Sequence, residues 1–403
     1  MDFFKFDGEV WQRLLTLLNY DSASPMTLAS GFFLFAFMVF GIGYMAVRNR
    51  RMARTIYVSL ISLYFYYKIS GLFVLLLLFV ATSDYLIGQR IAKRRGEGKR
   101  TRGWVTLSMI INILILSYFK IGGLFEEALN NLFGNGTINL GEILVPAGVS
   151  FFVFQSMSYI IDLSRGVISP VKRYLDYLFL LSFFPKVFLG PLVRNKEFIP
   201  QIESENIIVT RDDIGRSVAL VASGLIKYAV ISKAIDTLLL IPAVSGDFGD
   251  SGVVMLVALY AFGIRLYCDF SGYSDIAIGI ALALGYKLPD NFDAPFKSAT
   301  ITEFWRRWHI SLSSWLRDYL YISLGGNRHG AFRTYLNLII TMFLGGLWHG
   351  VGMTFIAWGL LHGVALALHK MWLRFVPRAK AVGSDMHPVS RIFATLLTFN
   401  LVA

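Results

Sequence analysis

The stretch from residue 26 to residue 47 carries no charged side chain, and its only polar groups are hydroxyls. That length is what an α-helix needs to cross the hydrocarbon layer of a bilayer, about 20 apolar residues. Arg48, Arg50, Arg51 and Arg54 follow at once. The chain opens on a polar, aromatic stretch, residues 1–21, rather than a short basic region ahead of an apolar run and a small-residue cleavage site, so the run is expected to stay in the mature protein as a membrane span. The remaining sequence is built alike: 55% of residues are hydrophobic, 16% are charged and the mean hydropathy is +0.58. A soluble domain carries about a quarter charged residues, so the chain reads as an integral membrane protein.

The net charge of +12 comes in short clusters between apolar runs, which argues for membrane topology and against nucleic acid as a partner. The densest cluster holds Lys93, Arg94, Arg95, Lys99, Arg100 and Arg102. With Arg48 to Arg54 it reads as cytoplasmic under the positive-inside rule, so an even number of crossings must separate the two clusters. Residues 55–89 can supply two, around 56–67 and 72–87, with Lys68 near the turn. Both are short enough to suggest local thinning or a re-entrant hairpin. The single cysteine, Cys268, excludes an intramolecular disulfide.

Further candidate spans are residues 104–119, 144–163, 174–192, 217–242, 252–270, 274–285, 335–348, 354–372 and a last run from Ile392 that is too short to cross before residue 403. A missing C-terminal part would account for that. With no internal repeat and only loop-sized polar stretches at 122–141 and 196–216, one membrane domain over residues 1–403 is the simplest division. Asp84, Asp162, Lys186, Arg265, Asp269 and Asp275 lie in or beside these spans. Each is costly in hydrocarbon and is expected to pair with another helix, to snorkel, or to face a polar interior cavity.

Residues 302–321, TEFWRRWHISLSSWLRDYLY, mix three tryptophans and three arginines with two acids. At 3.6 residues per turn Phe304, Trp308, Ser311, Trp315 and Tyr319 fall near one face, with Arg306, Arg317 and Asp318 elsewhere, the pattern of an interfacial amphipathic helix. An aromatic belt explains most of it but not His309, whose imidazole can exchange a proton near neutral pH. The second unusual feature is Leu344-Gly345-Gly346-Leu347-Trp348-His349-Gly350, a histidine in an apolar span flanked by glycines. Glycine there allows either tight helix packing or the close approach of a ligand. His329, His362, His369 and His387 are weaker candidates, the first in a loop and the others towards the C-terminal surface. No metal motif, GxSxG, phosphate loop or dinucleotide fingerprint is present.

Five separated motifs resemble the membrane-bound O-acyltransferase family, and within it the bacterial alginate O-acetylase branch. They are Phe270 to Asp275, Asn291 to Phe296, Phe304 to Ser313, Leu320 to Arg328 and Gly345 to Gly350, and the resemblance extends upstream to 146–166 and 183–194. The resemblance implies an all-α polytopic membrane protein, a ring of roughly 10–12 transmembrane or re-entrant helices around a thinned centre. It implies that His349 and His309 are catalytic, with Trp308, Arg306, Asp318, Trp348 and Asn291 around the substrates. It also implies no tightly bound cofactor and no metal, an acyl thioester donor such as acetyl-CoA on the cytoplasmic side, and transfer of acetyl groups towards an exported polysaccharide with help from an extracytoplasmic acetyltransferase. The location expected is the bacterial inner membrane, among its lipids. A D-alanyl transferase acting on teichoic acid is the near rival; a transporter or channel using the internal charges is the distant one.

Overall fold

The computed structural model describes residues 18–134, 144–249, 251–376 and 387–403. Most of the opening polar stretch and part of the polar loop at 122–141 lie outside these residues. The described chain is helical, and among the described residues six helical stretches are long and apolar enough to cross a membrane. The chain is therefore a multi-pass membrane protein.

Helix α1 (Gly31–Val47) begins where the Ser30 hydroxyl accepts the Phe33 amide, a conventional N-cap. Helices α2 (Arg51–Ser70) and α3 (Val74–Gly96) are longer than the apolar runs inside them, because each draws its arginine-bearing end into the helix. They reverse at the 3₁₀ turn Gly71–Phe73, where Gly71 takes a φ of 59°. A Cβ at that position would lie 2.8 Å from the Tyr20 ring, so glycine meets both the torsion and the contact. The reversal brings Ser70 to the Ala147 amide (3.0 Å), while Arg51 and Arg95 emerge together on the opposite, arginine-rich side, against Asp176 and the Leu163 carbonyl. Two helices thus lie between the basic clusters, as the sequence led one to expect.

Helix α4 (Arg102–Phe133) runs well beyond the apolar stretch 104–119. It is tied to α3 and to α5 (Val149–Arg165) through Asp84, which is wholly buried. Ser108 Oγ (2.6 Å), Asn112 Nδ2 (2.7 Å) and Ser156 Oγ (2.6 Å) all donate to its carboxylate. Such a group is tolerated at depth because donors from two neighbouring helices replace water.

Residues 174–192, expected as a span, do not form one. They break into α6 (Tyr174–Ser182) and the single turn α7 (Phe184–Val187), and the chain returns through α8 (Asn195–Glu203) to the side it left. Nine residues rise only about 14 Å, half of a hydrocarbon layer. Both ends of this re-entrant stretch are anchored on α2: Asp176 pairs with Arg51 at 2.8 Å, and the Ser204 carbonyl accepts from the buried Arg54. Its apex packs on the start of α5, where a Cβ at Gly148 would sit 2.3 Å from the Val187 carbonyl oxygen.

Helix α9 runs through Arg211–Ser245, opened by a Thr210–Asp213 capping box and widened by π-turns at Ile226–Ile231 and Asp236–Leu240. Lys227 in the first π-turn pairs with Asp275 (2.5 Å), and Asp236 in the second takes Arg265 (3.0 Å). These partners lie on α10 (Gly252–Ala283), so the intramembrane charges Arg265 and Asp275 serve helix pairing. The stretches 252–270 and 274–285, read as separate spans, are one helix of 32 residues. The polar Ser271 to Asp275 segment does not interrupt it because Asp275 has its lysine and Gly272 lies on the α9 backbone, where a Cβ would be 2.8 Å from the Gly224 carbonyl oxygen.

Residues 302–321 are not one interfacial helix. They form α11 (Ile301–Arg307) and α12 (Ile310–Trp315), continued by a π-turn over Leu316–Tyr321, and the two helices meet at a sharp bend. Phe304, Trp315 and Tyr319 are buried in protein instead of facing headgroups, Trp315 stacking on Phe154 at 4.4 Å. Helices α13 (Gly330–His349) and α14 (Met353–Phe375) close the molecule as a hairpin, with α15 (Pro388–Val402) after them. Gly346 and Gly359 let the hairpin backbones touch: a Cβ on Gly346 would lie 2.4 Å from the Phe355 carbonyl oxygen.

Candidate active site

His309 occupies the bend itself. Its φ of 43° and ψ of 54° are left-handed, one of two such non-glycine residues among those described, the other being Ala294. This conformation costs of order 1–3 kcal/mol and persists only when neighbours enforce it. Asn291 is the enforcer: its carbonyl accepts the Ile310 amide (2.9 Å), its Oδ1 accepts the Ser311 amide (3.3 Å) and hydroxyl (2.9 Å), and its Nδ2 donates to Ser274 Oγ (3.1 Å). The Asp293 amide donates to the Arg307 carbonyl on the other arm of the bend.

The bend drives the imidazole inward. His309, expected near the membrane boundary, is 2% exposed, with the Phe270 ring edge-on at 4.6 Å and the Trp348 ring at 6.4 Å. Its Nε2 is buried without a hydrogen-bond partner, and so is the indole Nε1 of Trp348. Other buried polar atoms, among them the Tyr273 and Ser271 hydroxyls, also lack partners among the described residues; these two differ in lying on adjoining rings beside the cavity that Trp348 lines.

His349 is the last residue of α13, not an interior residue of a span, and it is exposed. Its ring lies 4.5 Å from that of Trp348 and 5.3 Å from that of Trp358. His349 and Trp348 line a cavity of about 420 Å³ with Lys120, Asp269, Phe270 and the Pro146 to Phe151 segment, on the side away from the arginines. A second cavity, about 470 Å³, lies on the arginine-rich side and is lined by Arg306, Arg317, Lys370, Asn327, Trp305 and Ile310 among others. Helix α13 touches both, through Met342 in one and Trp348 in the other, six residues and therefore about 9 Å apart along its axis. His309 sits between them, bonded in sequence to Ile310 on one side and in ring contact with Phe270 and Trp348 on the other.

The remaining sequence candidates part company. Arg306 lines the arginine-side cavity. Asp318 faces a separate recess of about 380 Å³, held by Arg194 (2.6 Å) and Arg317 (2.7 Å). Trp308 stacks on Phe304 (5.5 Å) and meets Phe292 edge-on (5.2 Å), beside a small cavity of about 150 Å³ that includes neither histidine of the pair. Asn291 is 1% exposed with both ends of its amide engaged; it shapes the bend and lines none of these cavities. His362, expected near the surface, is buried against Trp305, whose Nε1 lies 3.4 Å from Nδ1; His369 bonds the Thr302 hydroxyl (2.7 Å), and His387 caps α15. His329 stays exposed in its loop. Sequence reasoning passed over Lys120, a single basic residue far from the motifs whose only signal was a charge late in an apolar run.

Fold and site together define a multi-pass membrane protein in which cavities from opposite sides approach one histidine-bearing bend. Residues 61–399 match the model of the membrane-bound O-acyltransferase family, and the chain belongs to that family. It is 38% identical over 383 residues to a probable alginate O-acetylase of Azotobacter vinelandii, an alignment covering 92% of this chain and 73% of that one. A peptidoglycan O-acetyltransferase of Helicobacter pylori is 33% identical over 92% of this chain and 74% of its own length. A teichoic acid D-alanyltransferase of Streptococcus thermophilus is 30% identical over 79% of each.

Proposed function

We propose that this protein is an O-acetyltransferase of the bacterial inner membrane, taking acetyl from a cytoplasmic thioester such as acetyl-CoA and passing it towards hydroxyls of an exported polysaccharide, directly or through an extracytoplasmic partner. The observation that carries the reading is the pair of cavities separated by the His309 bend. The arginine-rich side is cytoplasmic by the positive-inside rule, so a donor and an acceptor from opposite compartments meet without opening a through-path. The greater likeness to O-acetylating relatives favours acetyl as the group moved.

Neutral His349, open to the acceptor-side cavity, takes the proton of the acceptor hydroxyl as its oxygen attacks the thioester carbonyl. The carbonyl carbon becomes tetrahedral; its collapse breaks the C–S bond, and the imidazolium returns the proton to sulfur. His309 Nε2 and Trp348 Nε1, both without partners among the described residues, orient the thioester group. With no serine or cysteine nucleophile assigned, transfer is direct. The test is the polysaccharide acetyl content of cells lacking the protein, complemented at matched membrane expression with wild type, His349→Ala or His309→Ala. Restoration by wild type alone supports the reading, and equal restoration by the variants refutes the site. Ester-linked alanine in place of acetate would move the assignment to the teichoic acid D-alanyltransferases.

A further inference from the structure

We infer that Lys120 is a catalytic residue whose ammonium stabilises the oxyanion formed during acyl transfer; this rests on the acyltransferase reading above. Lys120 belongs to α4, outside the segments that carry the motifs, yet it lines the same cavity as His349. Its Nζ stands 5.9 Å from the centre of the Trp348 indole, whose own centre is 4.5 Å from that of the His349 imidazole. Both side chains thus border the same cavity, one on either side of the Trp348 contact.

Lys120 has no carboxylate within ion-pair distance among the described residues, unlike Lys227, Arg265 and Arg194, each of which is paired. Asp269, the acid in the cavity wall, is instead 3.4 Å from the Ser232 hydroxyl on α9. The indole face supplies only part of what a counter-ion would. Negative charge arriving in the cavity supplies the missing partner. In the proposed step that charge appears on the former thioester oxygen when the hydroxyl oxygen bonds to the carbonyl carbon, and it disappears when the C–S bond breaks. Lys120 donates a hydrogen bond to that oxygen in the tetrahedral species, while the proton itself travels from hydroxyl to His349 to sulfur. A preformed donor of this kind acts on the transition state more than on the bound substrates.

Purified protein in proteoliposomes is assayed for acetyl transfer from acetyl-CoA to a soluble polysaccharide acceptor, comparing wild type, Lys120→Met, Lys120→Arg and His349→Ala at equal thermal stability. Met keeps the aliphatic stem on Trp348 and removes the charge; Arg restores it. The inference requires kcat to fall about 100-fold or more in Lys120→Met with little change in either KM, and Lys120→Arg to recover part of the loss. Unchanged kcat in Lys120→Met overturns it. So does a raised acceptor KM with kcat intact, which would make Lys120 a ground-state anion contact. Absence of transfer by wild type would defeat direct transfer to the polysaccharide, and retention by His349→Ala would defeat the assigned site; both outcomes are distinct from failure at Lys120.

Discussion

Replacing Asn291 with alanine tests whether the His309 bend is held from outside the histidine. The side chain makes three buried hydrogen bonds, to Ser274 Oγ and from the Ser311 amide and hydroxyl. Removing it leaves those three groups without partners, and at about 1 kcal/mol for each net bond, more where a group stays unsatisfied, the local loss is roughly 3–5 kcal/mol. The left-handed torsion of His309 needs about 1–3 kcal/mol of support. The loss matches or exceeds what the bend requires, so residues 308–311 should relax towards continuous helix and carry the imidazole away from Phe270 and Trp348. A displacement of about 1 Å at a reacting group is enough for a hundredfold loss. Acetyl transfer by Asn291→Ala in proteoliposomes should therefore fall at least about 100-fold at temperatures where the protein stays folded, and the detergent-solubilised protein should inactivate at a lower temperature, since three buried bonds are lost. Wild-type transfer by this variant would refute the reasoning: the bend would then be either self-sustaining or irrelevant.

Three further outcomes follow from the packing. Asp84→Ala strips the acceptor from Ser108, Asn112 and Ser156 in a buried site and should destabilise the α3–α4–α5 unit by about 2–4 kcal/mol, read as reduced yield and earlier thermal unfolding in detergent. Gly346→Leu drives a side chain into the Phe355 carbonyl, so the α13–α14 hairpin must splay; transfer should vanish with His349 displaced, whereas Gly103→Leu, which meets open space, should be silent in the same assay. Arg306→Gln with Lys370→Gln removes two cations from the arginine-side cavity and should raise the KM for a phosphate-bearing donor about tenfold or more, with kcat nearly unchanged, in steady-state kinetics.

Hydropathy located the membrane character, and the basic clusters located the first hairpin, because both depend on composition summed over many residues. The failures have one physical origin: an apolar run records burial, not length of helix. Residues 174–192 are as apolar as a span because they are wrapped by other helices, while the break at Phe183 follows from Pro185, which cannot donate to the Leu181 carbonyl, and from the Phe184 amide bonding Ser62 on α2. Conversely, Ser271 to Asp275 looked like an interruption until Lys227 and Gly224 on α9 supplied its partners. The bend at His309 was hidden for a similar reason, since aromatic residues recur at helical spacing on both sides of it and the clamp, Asn291, acts through tertiary contacts. Motif likeness brought out His309, His349 and Trp348, which the fold does bring together; it also gathered Asn291, which clamps the bend, and Trp308 and Asp318, which line other cavities. Lys120 is the reverse case, near in space and silent in sequence.

The most direct measurement reconstitutes the protein in vesicles of defined orientation, supplies acetyl-labelled thioester only on the arginine-rich side and a hydroxyl acceptor only on the other, and follows the label. The account predicts label on the acceptor with wild type and none with His349→Ala. Equal labelling by both proteins would contradict the site, and none by wild type would contradict direct transfer across the bend.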